Sequence, residues 1–160
     1  MTDLETVGNV AFSNGDTPTG GQGQAVDGLS PTNGETLTYH IHAHLSLFNN
    51  GIQVAIPQSV GIINSGAALY SIHTHAPSGI IHVEAPAPGT FTLGQFFDIW
   101  GQPLTVSNIA GLMGTVTTYI NGNLYTGDLS TLPLTAHEEI TLEVGTPLVT
   151  PPTYLFPPNY

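Results

Sequence analysis

Neither lysine nor arginine occurs among the 160 residues, and all 11 charged side chains are acidic, which gives a formal net charge of −11. Charged residues make up only 7% of the chain, against roughly 25% in a typical soluble domain. Nucleic acid is therefore not expected as a partner, because contacts with phosphate depend on Lys and Arg. Anionic membrane surfaces are not expected for the same reason. Arginine clamps and catalytic lysines are excluded outright.

Cysteine is absent as well, which excludes disulfides, cysteine-type zinc sites, iron–sulfur clusters and thiol nucleophiles. A blue-copper centre also needs a cysteine thiolate, so it is excluded too. No run of about 18 apolar residues occurs, and no membrane span is expected within this chain. Its first residues lack the basic and apolar segments of a signal peptide, so none is visible here.

Glycine (19 residues) and proline (13 residues) are abundant, which favours short strands joined by turns over long helices. The sequence predicts a mainly β fold: an antiparallel β-sandwich or barrel-like sheet with one short α-helix at about residues 92–100. Three segments are expected, each with its own composition. They are a flexible, glycine-rich N-terminal arm over 1–34, a β-rich domain over 35–146 and a proline-rich C-terminal tail over 147–160.

Local patterns place several elements within this outline. Apolar and polar residues alternate from Leu37 to Phe48, which predicts a strand with one apolar face. The turn 49–51, Asn-Asn-Gly, predicts a hairpin after this strand, and the turn 77–79, Pro-Ser-Gly, precedes another strand. Thr92 and Gln95 have the spacing of a helix capping box, and Gly101 stands where a helix-ending glycine belongs. A short strand within 5–12 is expected to pair with the domain or with a neighbouring subunit.

Histidine is concentrated in one part of the chain. Six of the seven histidines fall between positions 40 and 82, interleaved with core-type residues. Residues two apart on a strand point to the same face, about 6.6 Å apart, so an HxH pair can bring two imidazoles to one metal. The candidate ligands are His40, His42, His44, His73, His75, His82, Glu84 and His137.

The spacing limits how these residues can combine. The outer members of the row His40, His42 and His44 are about 13 Å apart along a strand, so we expect two of the three to bind one ion, or two separate sites. A hairpin at 77–79 would bring His82 close to His73 or His75. Glu84 suits a ligand, an acceptor that orients a histidine, or a general base. His137 fits a solvent-exposed residue as well as a ligand.

Imidazole with an optional carboxylate suits Zn²⁺, Cu²⁺, Ni²⁺ and Fe²⁺. Copper(II) has the highest intrinsic affinity for nitrogen sites, while zinc is the commoner occupant. We expect a divalent transition metal, with Cu(II) slightly favoured over Zn(II) outside the cell. A histidine cluster that senses pH without a metal is the alternative use of the same residues.

Four blocks of the chain resemble a family of functionally uncharacterised bacterial proteins, which are exported or membrane-anchored histidine-rich domains. The blocks are YHIHAHL, LYSIHTHAPSGIIHVEAP, FTLGQFFDIWGQPL and YINGNLYTGD…LTAHEEITLEVGTP, similar to the family pattern HxHxHL … HTHxxSGIIHxE … FTLGxFFDIWG. The resemblance covers about residues 20–158. It implies an extracellular, cell-surface or periplasmic location and a site shared by the six histidines between 40 and 82. The chain departs from the pattern at Ala76, where the family has an acidic residue, and lacks its cysteines.

These observations support binding of a metal better than they support any reaction. The first hypothesis is an extracytoplasmic metal-binding protein that performs no turnover. The main alternative is a secreted, self-assembling filament subunit, in which the N-terminal arm completes the sheet of a neighbouring copy; the missing lysines fit it, since edge strands carry lysine to resist pairing. A further alternative is a metal-dependent hydrolase or oxidase with an open coordination position.

Overall fold

The computed structural model describes the backbone of Val10–Ala11 and all of residues 20–160. The fold is mainly β with one α-helix, as the sequence predicted. The strands and the helix, in chain order, are β1 Val10–Ala11, β2 Tyr39–Asn49, β3 Ile52–Ala55, β4 Ile62–Ile63, β5 Ala68–Leu69, β6 Ile72–His73, β7 Ile80–Ala85, α1 Leu93–Trp100, β8 Asn108–Ile109, β9 Leu112–Met113, β10 Val116–Ile120, β11 Asn123–Tyr125 and β12 Glu139–Val144.

Eight of these strands form one sheet around β2, the longest strand. The order runs β1-β3-β2-β12-β10-β11, and β7 joins the first half of β2 and carries β6 on its other edge. Two pairs, β1 with β3 and β2 with β12, are parallel, whereas the sequence suggested an antiparallel arrangement. Parallel pairing needs a long crossover rather than a tight turn, and β12 follows β2 only after most of the domain.

The apolar face of this sheet forms the core together with α1. Ala43, Ile81 and Val83 are fully buried there, in one cluster with Phe96 and Trp100 of the helix. Because side chains alternate along a strand, the residues between them point to the opposite face. The histidines of β2 and β7 therefore lie on the face away from the helix.

The predicted turns and caps form as their sequences indicate. Asn50 and Gly51 join β2 to β3 with φ values of 50° and 78°, the two left-handed positions that a type I′ hairpin turn requires. In α1 the side chain of Thr92 accepts from the Gln95 amide while the Gln95 side chain accepts from Thr92, and Gly101 ends the helix at φ 79°. The predicted helix is confirmed to within a residue.

Other elements differ from the predicted ones. Between β3 and β7 the chain forms only the short strands β4, β5 and β6, with a 3₁₀ turn at Asn64–Gly66. The hairpin of β8 and β9 was not predicted, because Ala110-Gly111 at its turn is not a typical turn pair, although Ala110 adopts φ 52°. The strand expected within 5–12 is described only as β1, which pairs with β3 of the same chain. The rest of that expected strand lies outside the described residues.

Residues 20–34 and the C-terminal segment both contact the sheet domain. The Gly21 amide donates to the Ile99 carbonyl at 2.7 Å, and the Tyr70 hydroxyl donates to the Gln24 carbonyl. At the other end, the Val149 and Tyr154 amides donate to the carboxylates of Glu143 and Glu139. No helix in the described part of the chain has the length and apolar character that crossing a membrane requires.

Candidate metal centre

The register of three neighbouring strands brings the histidines together. His42 of β2 lies directly opposite His82 of β7, and His82 lies directly opposite His73 of β6. Paired residues on adjacent strands share a face of the sheet. The result is a row of three imidazoles, His42–His82–His73, across β2, β7 and β6. The predicted approach of His82 to His73 is therefore confirmed.

Glu84 lies at the centre of a second row beside the first. It is paired with His40 across β2 and β7. Its Oε1 lies 3.3 Å from His40 Nε2, 3.5 Å from His73 Nε2 and 3.8 Å from His82 Nδ1. One carboxylate oxygen thus faces three imidazole nitrogens on three different strands.

His73 and His75 converge at the open end of the cluster. Their Nε2 atoms are 3.1 Å apart, close to the roughly 3.3 Å between two ligand nitrogens held at 2.0–2.1 Å by a tetrahedral ion. The Nδ1 of His73 lies 2.8 Å from the Tyr70 carbonyl oxygen. A proton on Nδ1 donates to that carbonyl and leaves Nε2 with a free lone pair, the arrangement usual for a metal-binding histidine.

Six of the eight predicted ligands fall into two groups that could hold a metal ion. In each group the donor atoms lie within 4.8 Å of one another. The first group is His73, His75, His82 and Glu84, and the second is His40, His42 and His82.

Burial leaves several donor atoms of the cluster without partners. His73 is fully buried, and His42, His82 and Glu84 are 5–6% exposed. Within the described residues, His42 Nε2, His82 Nδ1 and Glu84 Oε2 are buried and have no hydrogen-bond partner. Each unpaired buried polar atom costs about 1–3 kcal/mol. Three such atoms lie in one cluster, where a bound ligand could satisfy them.

Burial and the neighbouring rings favour the neutral form of three imidazoles in the cluster, those of His42, His75 and His82. Burial, followed by the neighbouring His42 and His73, lowers the pKa of His82 to about 2. Burial and the nearby His40 lower the pKa of His42 to about 4, and burial also lowers that of His75. At neutral pH each of these three rings is therefore uncharged, with one N–H and one nitrogen lone pair that can bind a metal.

The carboxylate of Glu84 remains charged in spite of its burial. Burial acts to raise its pKa, but the hydrogen bond with His73 and the surrounding imidazoles outweigh that effect and hold the pKa below its usual value. A carboxylate that stays ionised places one negative charge in a buried site. A cation is the ligand that such a charge favours.

The other two predicted ligands, His44 and His137, belong to neither group. The Nε2 of His44 lies 2.8 Å from the Ser78 carbonyl oxygen, and its ring stacks on Tyr154 at 3.8 Å. His137 is exposed, with its Nε2 2.8 Å from the Tyr160 carbonyl oxygen and its ring against Phe156.

Sequence reasoning missed the aromatic residues that cover the histidine face. The ring of Tyr160 lies 4.3 Å from that of His42 and 5.5 Å from that of His82. Tyr154 and Phe156 cover His44. The signal was present as the aromatic residues of the proline-rich tail.

Solvent reaches the cluster at His75. A cleft of about 540 Å³ reaches His75, and its walls include Glu35, Ser59 and Leu69. The carboxylate Oε1 of Glu35 lies 3.9 Å from His75 Nε2. The side chains of His75 and His40 are 39% and 32% exposed, so each donor group contains one ligand that solvent can reach.

Geometry and chemistry thus define a cluster of histidine and glutamate that could hold metal, and its members come from β2, β6, β7 and the turn that follows β6. The resemblance to the exported histidine-rich family stays a prediction. Comparison of the chain with protein-family models, with curated proteins and with solved structures found no match.

Proposed function

We propose that this chain is a metal-binding protein that holds a divalent transition metal on the histidine face of its sheet. The observation that carries the proposal is the set of three buried donor atoms without partners, on His42, His82 and Glu84, among further imidazoles. A bound cation would satisfy all three. It would also offset the carboxylate charge that burial otherwise disfavours.

The donor set supports Cu(II) or Zn(II). Neutral imidazoles with one carboxylate and no thiolate suit both ions. Copper(II) is slightly favoured, because it binds nitrogen donors most tightly in the series of divalent first-row metals. We also propose an extracytoplasmic location, which the resemblance to exported histidine-rich proteins supports.

The proposed role is binding or storage of the metal rather than turnover. The first donor group supplies four protein ligands, the number that fills a tetrahedral structural site. The ring of Tyr160 packs against His42 and His82 of the cluster. These features favour retention of an ion.

Metal content tests the proposal directly. The protein is purified without a metal column, and its metal is measured by mass spectrometry before and after incubation with Cu²⁺ or Zn²⁺ followed by desalting. At least one ion per chain should remain, and His73→Gln should lower the retained metal. The matched control is His137→Asn, which changes an exposed histidine outside both groups at φ 59°, a conformation that Asn tolerates.

Protein that keeps neither ion while its circular dichroism shows a folded β domain would contradict the proposal. Equal loss of metal in His73→Gln and His137→Asn would also contradict it, because binding would then not depend on the buried cluster.

A further inference from the structure

The strand register places His82 in the middle of the cluster. It has His42 on one side, across β7 and β2, and His73 on the other, across β7 and β6. Adjacent strands lie about 4.8 Å apart, so His42 and His73 are separated by two strand spacings. The donor-atom groups combine His82 with only one of these two neighbours at a time, with His73 in the first group and with His42 in the second.

The ring contacts have the same arrangement. The His82 ring centroid lies 4.5 Å from that of His42 and 5.5 Å from that of His73. It also lies 4.6 Å from that of His75. The donor atoms form two groups rather than one, and His82 is the member that the two groups share.

Each group contains the components of a separate site. The first combines His82 with His73, His75 and Glu84, and it opens to the cleft at His75. The second combines His82 with His40 and His42, and the ring of Tyr160 covers it. Each also has its own unpaired buried atom, Glu84 Oε2 in the first and His42 Nε2 in the second.

We infer that the cluster is a dinuclear centre in which the imidazole of His82 bridges two metal ions, and this rests on the proposed function. The Nδ1 of His82 faces Glu84 at 3.8 Å, so it serves the first ion and leaves Nε2 for the second. The second ion replaces the remaining ring proton, which is released to solvent. With metal–nitrogen bonds of about 2.0–2.1 Å, the two ions are roughly 6 Å apart across the ring.

The two positions differ in donor number. The first has three imidazoles and a carboxylate and is filled as a tetrahedral site, whereas the second has three imidazoles and one open position. The first ion should therefore bind more tightly, because it has one more protein ligand and a negative charge. Stepwise loading follows from this difference.

Titration of metal-free protein with Cu²⁺ tests the inference. Native mass spectrometry counts the ions, and EPR reports whether the two copper spins interact. We expect two ions per chain. The EPR signal should grow as the first equivalent binds. After the second equivalent, its integrated intensity should be well below twice that of the first, because two copper spins bridged by one imidazole couple.

Two variants separate the positions. His40→Gln changes a partly exposed ligand of the second group, whose ring also contacts Glu84 Oε1, and the variant should bind one copper with an uncoupled EPR signal. The control His137→Asn should still bind two coupled ions. A His82→Gln variant that is folded by circular dichroism should show no coupling at any copper load.

The outcomes distinguish this inference from the proposed function. Two ions with additive, uncoupled signals would overturn the bridge, and a single ion at saturation would overturn the dinuclear centre; both leave the proposed function standing. Folded protein that binds no copper would overturn both.

Discussion

His44 differs from its neighbour His42 in what surrounds the ring. Although the two side chains lie on the same face of β2, His44 donates to the Ser78 carbonyl and stacks on Tyr154. Burial lowers its pKa from the ordinary 6.5 to about 4, and the hydrogen bond to Ser78 only partly offsets this. A histidine that is more easily protonated in the unfolded chain than in the fold makes stability depend on pH.

The sign of that dependence is fixed by the lowered pKa. Between the two pKa values the unfolded state binds more protons than the native state. The part of the free energy of unfolding that depends on His44 is therefore fully present above about pH 6.5 and is lost as the pH falls through about 4. In metal-free protein, protonation of His44 as the pH falls through this window should lower the free energy of unfolding by on the order of 3 kcal/mol, at about 1.4 kcal/mol per pKa unit.

Urea unfolding of the wild type and His44→Gln, at about pH 7.5 and at about pH 4.5, measures this contribution. Glu138 and Glu143 have pKa values raised by burial and act in the opposite direction, but they are present in both proteins. The wild type should lose more stability on acidification than the variant. Parallel losses would show that His44 does not titrate with folding.

Residue chemistry alone could predict the HxH pairs but not the different environments of His42 and His44. The alternation from Leu37 to Phe48 placed both rings on one face. Which ring faces other histidines and which faces Tyr154 depends on the register of β7 and on the path of the C-terminal segment. Neither can be read from local sequence, because both depend on contacts between distant positions.

At the scale of elements, the capping box of α1 gives a direct test. Thr92→Ala removes the side chain that accepts from the Gln95 amide and should destabilise the protein by about 1 kcal/mol. Urea or thermal unfolding measures the change. Thr126→Ala, at an exposed loop position, is the control and should have little effect. Equal losses in both variants would mean that the cap does not stabilise the helix.

The C-terminal segment is tested through the histidine that it covers. In Tyr154→Ala the His44 ring loses its stacking partner and becomes more accessible to water, so its pKa should rise from about 4 towards 6.5. An NMR titration of the imidazole protons measures the shift. Tyr160→Ala uncovers His42 instead and should leave His44 unchanged. An unaltered His44 in Tyr154→Ala would contradict this account of its burial.

Elements with local signals were predicted, and elements without them were not. The hairpin at Asn50-Gly51 and the helix from Leu93 to Trp100 are encoded within a few residues by turn and cap chemistry. The parallel pairing of β2 with β12 depends on residues far apart in the chain, and no periodicity reports it. The β8–β9 hairpin lacks a typical turn pair and was missed for that reason.

At the scale of the whole molecule, metal binding should raise stability by mass action. An ion that binds only the folded state adds about 2.7 kcal/mol at 100 times its dissociation constant. The unfolding temperature with Cu²⁺ or Zn²⁺ should therefore exceed that with a chelator. The gain should shrink at low pH, because protons compete for the histidine ligands.

Thermal unfolding with and without metal, at neutral pH and at about pH 4, checks this expectation. The variant His73→Gln should show a smaller gain than His137→Asn. Equal gains in these two variants would assign the effect to nonspecific binding by a chain of net charge −11. A gain that is constant with pH would exclude histidine ligands.

The long separation of β2 and β12 has a consequence for the order in which the chain folds. Their register joins His44 to Glu139, 95 positions further along, and closing so distant a contact is slow. The members of the two donor groups, by contrast, all lie between positions 40 and 84. Metal could therefore assemble β2, β6 and β7 while β12 is still undocked, and refolding should be faster when metal is present from the start than when it is added afterwards.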